Sequence, residues 1–217
     1  MTEAEWLVCF DPRRMLKLLR GRASDRKIRL FACACCRRIW NSLRSAHRRA
    51  VEVSEKYADG MGGGDELDRA IKKATAIEEY YAHANMAARW TTDRKRLVNE
   101  RAPFEVVKEI AFRAAKTTSS VTWKQARQSE LGVQAQLLRC LIQNPFRPVI
   151  FSPSWRTSIA VALASQMYES REFGAMPILA DALQDAGCDS AEVLDHCRGE
   201  GPHVRGCWVV DLALGKE

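Results

Sequence analysis

The chain has 217 residues, 47% apolar and 28% charged, the balance of an ordinary globular protein with material for a sizeable core. The opening MTEAEWL lacks a basic segment ahead of an apolar stretch, and the uncharged run TSIAVALASQMY (157–168) is too short to span a bilayer, so the expectation is a cytoplasmic protein with no leader and no membrane partner. The net charge of +7 is uneven: residues 1–50 carry 13 Lys/Arg against 4 acids, and residues 172–217 carry 3 against 9.

Eight cysteines suit a disulfide framework only in a small secreted domain with a poor core, so reduced thiols are expected here. The basic head either meets an anionic partner such as nucleic acid or docks on the chain's own acidic tail.

Helical signals dominate in chain order. In DPRRMLKLLRG, Asp11 is an N-cap, Pro12 occupies the first helical position and Gly21 follows the end. SDRKIRLFACACCRRIWNSL predicts a helix capped by Ser24 and running to about residue 44. AHRRAVEVSEKYADG predicts a third, ending near Gly60. GMGGG (60–64) is a flexible break, and residues 65–90 read as one long helix. Residues 102–116 and 119–143 are two more, the latter with Gly132 as a weak point.

NPFRPVIFSPSW carries three prolines and predicts an extended connector over 144–154, with room for a short strand at VIF. A helix capped by Ser152 or Ser154 follows, to residue 170. Three short helices, MPILADALQDAG, DSAEVLDHCRG and PHVRGCWVVDLAL, close the chain. The pattern predicts an all-α fold: a compact single domain over 1–217, an orthogonal array of about nine or ten helices with little or no strand. The six tryptophans fall on different segments and read as inter-helix anchors.

The stretch RLFACACCRRIW is the densest in chemistry. On a helical wheel Ile28, Phe31, Ala32, Cys35, Ile39 and Leu43 share one face, so Cys35 reads as a small core hydrophobe. Cys33 and Cys36, at i,i+3, lie on one shoulder and are close enough to share a metal. Further ligands would come from Cys188, His196, Cys197, His203 and Cys207 in the tail, which supplies the thiolates and imidazoles of a zinc site. The spacing matches no finger, knuckle or ribbon, and the preferred reading is scattered cysteines in separate packing positions with no cofactor. Arginines beside Cys36 would favour thiolate, but no cysteine-enzyme signature accompanies them.

Other motifs dissolve on inspection. GMGGGDELDR lacks the Lys-Ser/Thr of a phosphate loop, and Asp65 and Glu66 would repel phosphate. Glu79 and His83 are i,i+4, without a second such pair for a di-iron bundle. QSELGVQAQLL places Gln128 where a helix-turn-helix wants a small residue. Some of Arg26, Arg29, Arg37 and Arg38 are expected to pair with Asp181, Asp185 or Asp195. Arg13, Arg14, Arg20, Arg44, Arg48 and Arg49 are expected to form an exposed basic surface.

Taken together, MTEAEWL, DPRRML, FACACCRRIW, NPFRPV, SPSW, PILADALQDAGC and GPHVRGCWVVDLALGKE resemble, in one order along the whole chain, a family of paralogous proteins abundant in planctomycete bacteria. The resemblance brings no activity, cofactor or site residue with it. It implies that head and tail belong to one unit. The leading function is therefore a non-enzymatic intracellular binding or adaptor protein, with a protein or nucleic acid as partner. The alternative is a zinc-stabilised helical protein whose Cys/His site joins the first long helix to the tail. An enzyme comes third, since no convergent acid–base set is visible.

Overall fold

The computed structural model describes residues 1–76 and 122–216 and, between them, Thr91, Glu105 and Lys108. The fold is all-α: the described residues form ten α-helices and three short 3₁₀ turns, with no strand. The helices are α1 (Glu3–Val8), α2 (Pro12–Leu19), α3 (Asp25–Arg38), α4 (Ser45–Ala58), α5 (Gly64–Thr75), α6 (Trp123–Leu141), α7 (Ser158–Ser170), α8 (Met176–Asp185), α9 (Ala191–Arg198) and α10 (Trp208–Leu214). None of them is long and apolar enough to cross a membrane. Most of the expected helix over 102–116, the pair Glu79 and His83, and most of the expected helix over 65–90 lie outside the described residues.

The chain divides into two compact units, residues 8–135 and residues 1–7 with 136–217. The first is built around α3. Ser24 caps it by accepting from the Lys27 amide, and its residues from Ile28 to Cys36 are all buried. α3 packs on α4, which packs on α5. The helix expected to reach residue 44 stops at Arg38, where the Ile39 amide turns back to the Cys36 and Arg37 carbonyls. A 3₁₀ turn, Trp40–Ser42, then leads into α4. Gly132 does not break α6; its lack of a side chain admits the Phe10 ring, 3.5 Å from where a Cβ would stand.

Three of the four arginines of α3 find carboxylates inside this unit. Arg26 pairs with Asp59 at 3.0 Å, Arg37 with Glu55 and Arg38 with Glu130 at 2.8 Å. Arg29 is buried and donates to the Thr91 carbonyl at 2.6 Å. The expected pairing with Asp181, Asp185 or Asp195 is therefore corrected. Carboxylates on α4 and α6 are already in reach of α3, and Asp181 is taken by Arg198 at 3.0 Å.

The second unit opens with a helix that the elements above omit. In α1, Thr2 and Glu5 form a reciprocal capping box: the Glu5 amide donates to Thr2 Oγ1 and the Thr2 amide to Glu5 Oε2. α1 is tied down from outside as well. Arg139 on α6 donates to the Trp6 carbonyl at 2.7 Å, and Asn144 and Arg147 both reach Glu3. The 144–154 connector holds no strand. Pro153–Trp155 is a 3₁₀ turn, and α7 is capped by Thr157, which accepts from the Ala160 amide, in place of Ser152 or Ser154. The core of this unit gathers Tyr168, Leu179, Leu183, Val193, Val209 and Val210. Full burial of each Leu or Val contributes about 1.5–3 kcal/mol.

Candidate metal centre

The end of α6, the last turn of α9 and the segment running into α10 meet in the second unit. α6 carries Cys140 one residue before its end. α9, capped by Ser190, turns Val193 and Cys197 into the core and places His196 on the adjoining shoulder. Residues 199–207 form a non-helical loop, where a helix was expected from Pro202; the loop carries His203 and ends at Cys207, immediately before α10.

Four donor atoms converge there, one each from Cys140, His196, His203 and Cys207, all within 4.8 Å of one another. In a tetrahedral zinc site with bonds of about 2.0–2.3 Å, the ligand atoms stand about 3.3–3.8 Å apart, so this set needs only a small contraction. His196 Nε2 already lies 3.2 Å from Cys207 Sγ. Both cysteines are buried, and both histidines are partly so.

The hydrogen bonding of His203 marks which atom faces the cluster. Its Nε2 lies 3.1 Å from the Gly199 carbonyl, while its Nδ1 is buried with no hydrogen-bond partner. A backbone carbonyl that takes one ring N–H fixes the tautomer and leaves the other nitrogen as a lone-pair donor, the usual arrangement of a metal-bound imidazole. Gly201 holds the loop in place with φ +91°; a Cβ there would stand 2.8 Å from the His203 amide and 3.2 Å from its ring. The His196 ring is edge-on to His203 at 5.0 Å and packs on Trp208 at 5.1 Å.

The electrostatics of Cys207 agree with the geometry. Burial alone would raise the Cys207 thiol. Interactions with Cys140, His196 and His203 outweigh that and hold it well below its ordinary value. Burial works against the charged form of His203, and Cys207 together with the Gly199 carbonyl reverses the effect and raises it. Cys207 thus favours the thiolate that a metal takes up, while His203 beside it favours the protonated ring, whose proton a bound metal would have to displace. A cleft of about 210 Å³ opens there, lined by Cys140, His196 and His203 together with Gln136, Arg139, Asp195 and Glu200.

Of the seven expected ligands, the structure brings together His196, His203 and Cys207. Cys33 and Cys36 are buried in the core around α3, where Cys33 Sγ faces the Val51 carbonyl at 3.9 Å. Cys188 and Cys197 are buried in the core of the second unit and are not among the four donors. Cys140 is the ligand that the tail-centred set omits. The expectation of thiols in separate packing positions is corrected for Cys140 and Cys207, which share one site because α6 ends against the 199–207 loop. Cys35 is buried as expected.

The expected basic surface divides. Arg13, Arg14, Arg20, Arg44 and Arg49 are exposed, and Arg48 is half-buried. Arg49 meets Glu52 and Glu66, and Arg48 donates to the Trp40 carbonyl at 3.0 Å. Compared with known proteins, the chain matches no family model, no curated protein and no solved structure.

Proposed function

We propose that this is a zinc-binding helical protein in which Cys140, His196, His203 and Cys207 hold one ion. The observation that carries the reading is the convergence of two thiols and two imidazoles from three separate chain segments within 4.8 Å. A thiolate–imidazole set of this kind suits zinc over the hard, oxygen-seeking cations. Four protein ligands fill a tetrahedron and leave no position for substrate, so the role is structural. The ion would staple the 199–207 loop, which has no regular backbone ladder of its own, to the ends of α6 and α9.

The protein purified from zinc-supplemented medium should carry one zinc per chain by elemental analysis. The double variant Cys140→Ala/Cys207→Ala should carry none. Full occupancy in that variant would place the ion elsewhere.

A non-enzymatic binding or adaptor role is a second reading, compatible with the first. It is favoured by the exposed cations of α2, three in eight residues, and Arg20 just after them.

A further inference from the structure

No disulfide joins any of the eight buried cysteines. Two of them nevertheless meet across a long stretch of chain. Cys140 lies near the end of α6 and Cys207 at the junction of the 199–207 loop with α10, and their sulfurs are among the four donor atoms within 4.8 Å of one another. Cys207 interacts directly with Cys140, and its sulfur stands 3.2 Å from His196 Nε2. A disulfide needs sulfurs about 2.05 Å apart, an approach of less than about 3 Å from this arrangement. The Cys207 side has room to adjust, since residues 199–207 have no helical or strand ladder to break.

The pair is open to small reagents. Cys140 is the one cysteine lining the cleft, beside His196 and His203, and a cleft of about 210 Å³ admits a molecule the size of water or peroxide. Cys197 is fully buried in the core of the second unit and does not line the cleft.

We propose that Cys140 and Cys207 are a reversible thiol–disulfide pair, so that bound metal and disulfide exclude each other. The proposal rests on the zinc-binding reading. With a peroxide as oxidant, the Cys140 thiolate sulfur attacks one peroxide oxygen. The O–O bond breaks, Cys140 becomes a sulfenic acid and hydroxide leaves. The Cys207 thiolate then attacks the Cys140 sulfur: the S–S bond forms, the S–O bond breaks and a second hydroxide leaves. Each hydroxide takes up a proton. The two sulfurs together lose two electrons, and the peroxide is reduced to two waters. Both thiolates are consumed, only two imidazoles remain of a four-ligand set, and zinc is released. The disulfide ties the loop to α6 in place of the ion, so the helical fold outlasts the loss of metal.

The test treats the zinc-loaded full chain with hydrogen peroxide and reads released zinc with a chromogenic chelator. Remaining thiols are then alkylated and the chain is cut with trypsin. Cys140 and Cys207 fall on separate peptides, 140–156 and 206–216, each holding a single cysteine, whereas Cys188 and Cys197 share 172–198. One zinc should leave for each linked 140–156/206–216 pair, with helical circular dichroism retained. A thiol reductant with fresh zinc should restore one zinc per chain. Three results overturn the proposal and leave the zinc reading standing: no linked pair, zinc loss through sulfinic or sulfonic acids, or Cys207 linked to 172–198. Linkage that forms only as the helical signal is lost overturns it as well. A chain that neither carries nor takes up zinc overturns this proposal and the zinc reading together.

Discussion

His196 Nε2 stands 3.2 Å from Cys207 Sγ, across 11 residues of chain that include the whole 199–206 loop. Without a metal, this contact, the Gly199–His203 bond and the packing of His196 on Trp208 hold the loop to α9. Zinc bound at the four donors would add to these contacts in the folded protein alone, so stability should be linked to free zinc. At free zinc 100-fold above its dissociation constant the gain is about 2.7 kcal/mol, growing by about 1.4 kcal/mol for each further decade. Thermal melts with a zinc buffer series and with chelator should show a midpoint that climbs with log free zinc in the parent. A flat dependence is expected for Cys140→Ala/Cys207→Ala.

Gly201→Ala tests the loop that presents His203. At φ +91° an alanine is strained, and its Cβ would meet the His203 backbone at 2.8 Å. The backbone conformation alone costs about 1–2 kcal/mol. Because the ring also has to move, zinc affinity should fall together with stability, by about 10- to 100-fold, as for loss of a group that orients a ligand. Competition with a chromogenic chelator reads the first and urea melts the second. An unchanged affinity would detach His203 from the site.

Much of the helical architecture is legible from caps. Asp11 and Ser24 mark their helices as read, and the buried face of α3 follows the wheel. The Thr2–Glu5 capping box is equally legible, and it identifies α1. The site is harder to read. Cys140 sits on α6 between Leu137, Leu138 and Leu141, all buried, so by pattern it is one more core position. The other three donors begin 56 residues later, and no spacing rule connects them. Cys33 and Cys36 attract attention because they are close in sequence, yet both point into the core of α3. His203 is misplaced by assuming a helix from Pro202, where the chain instead needs an irregular loop to turn the ring toward Cys207.

The thiols of α3 predict an alkaline limit to stability. Burial, reinforced by Glu55, pushes Cys33 up to about 12, and burial raises Cys35 and Cys36 in the same direction. In the unfolded chain these groups ionise near the ordinary value of 9.0. Folding favours the protonated thiol, so its contribution is fully present below pH 9 and declines as pH rises toward about 12. Urea melts from pH 7 to 11 should show falling stability above pH 9, and the fall should be shallower in Cys33→Ala than in the parent. Equal slopes would contradict the burial assigned to this thiol.

The Arg37–Glu55 pair lies on the α3–α4 contact, with the carboxylate side chain only 3% exposed and the arginine 27% exposed. Replacing Glu55 by Gln keeps the shape and removes the charge, leaving the guanidinium partly solvated. A cost of about 1–3 kcal/mol is expected, below the range for a fully buried pair because Arg37 retains contact with water. The double variant with Arg37→Gln should recover part of that loss. A double-mutant cycle in urea gives the coupling, and a value near zero would make the pair a surface contact.

The central claim is the four-ligand centre itself, and cobalt(II) titration of the apo protein tests it most directly. Two thiolates and two imidazoles in a tetrahedron should give intense visible d–d bands and a thiolate-to-cobalt charge-transfer band. Both should saturate at one cobalt per chain and be abolished by one equivalent of zinc. Cys140→Ser should weaken the charge-transfer band, and His203→Ala should shift the d–d pattern. A weak octahedral spectrum, or a tetrahedral one that survives Cys140→Ser and Cys207→Ser together, would contradict the assignment.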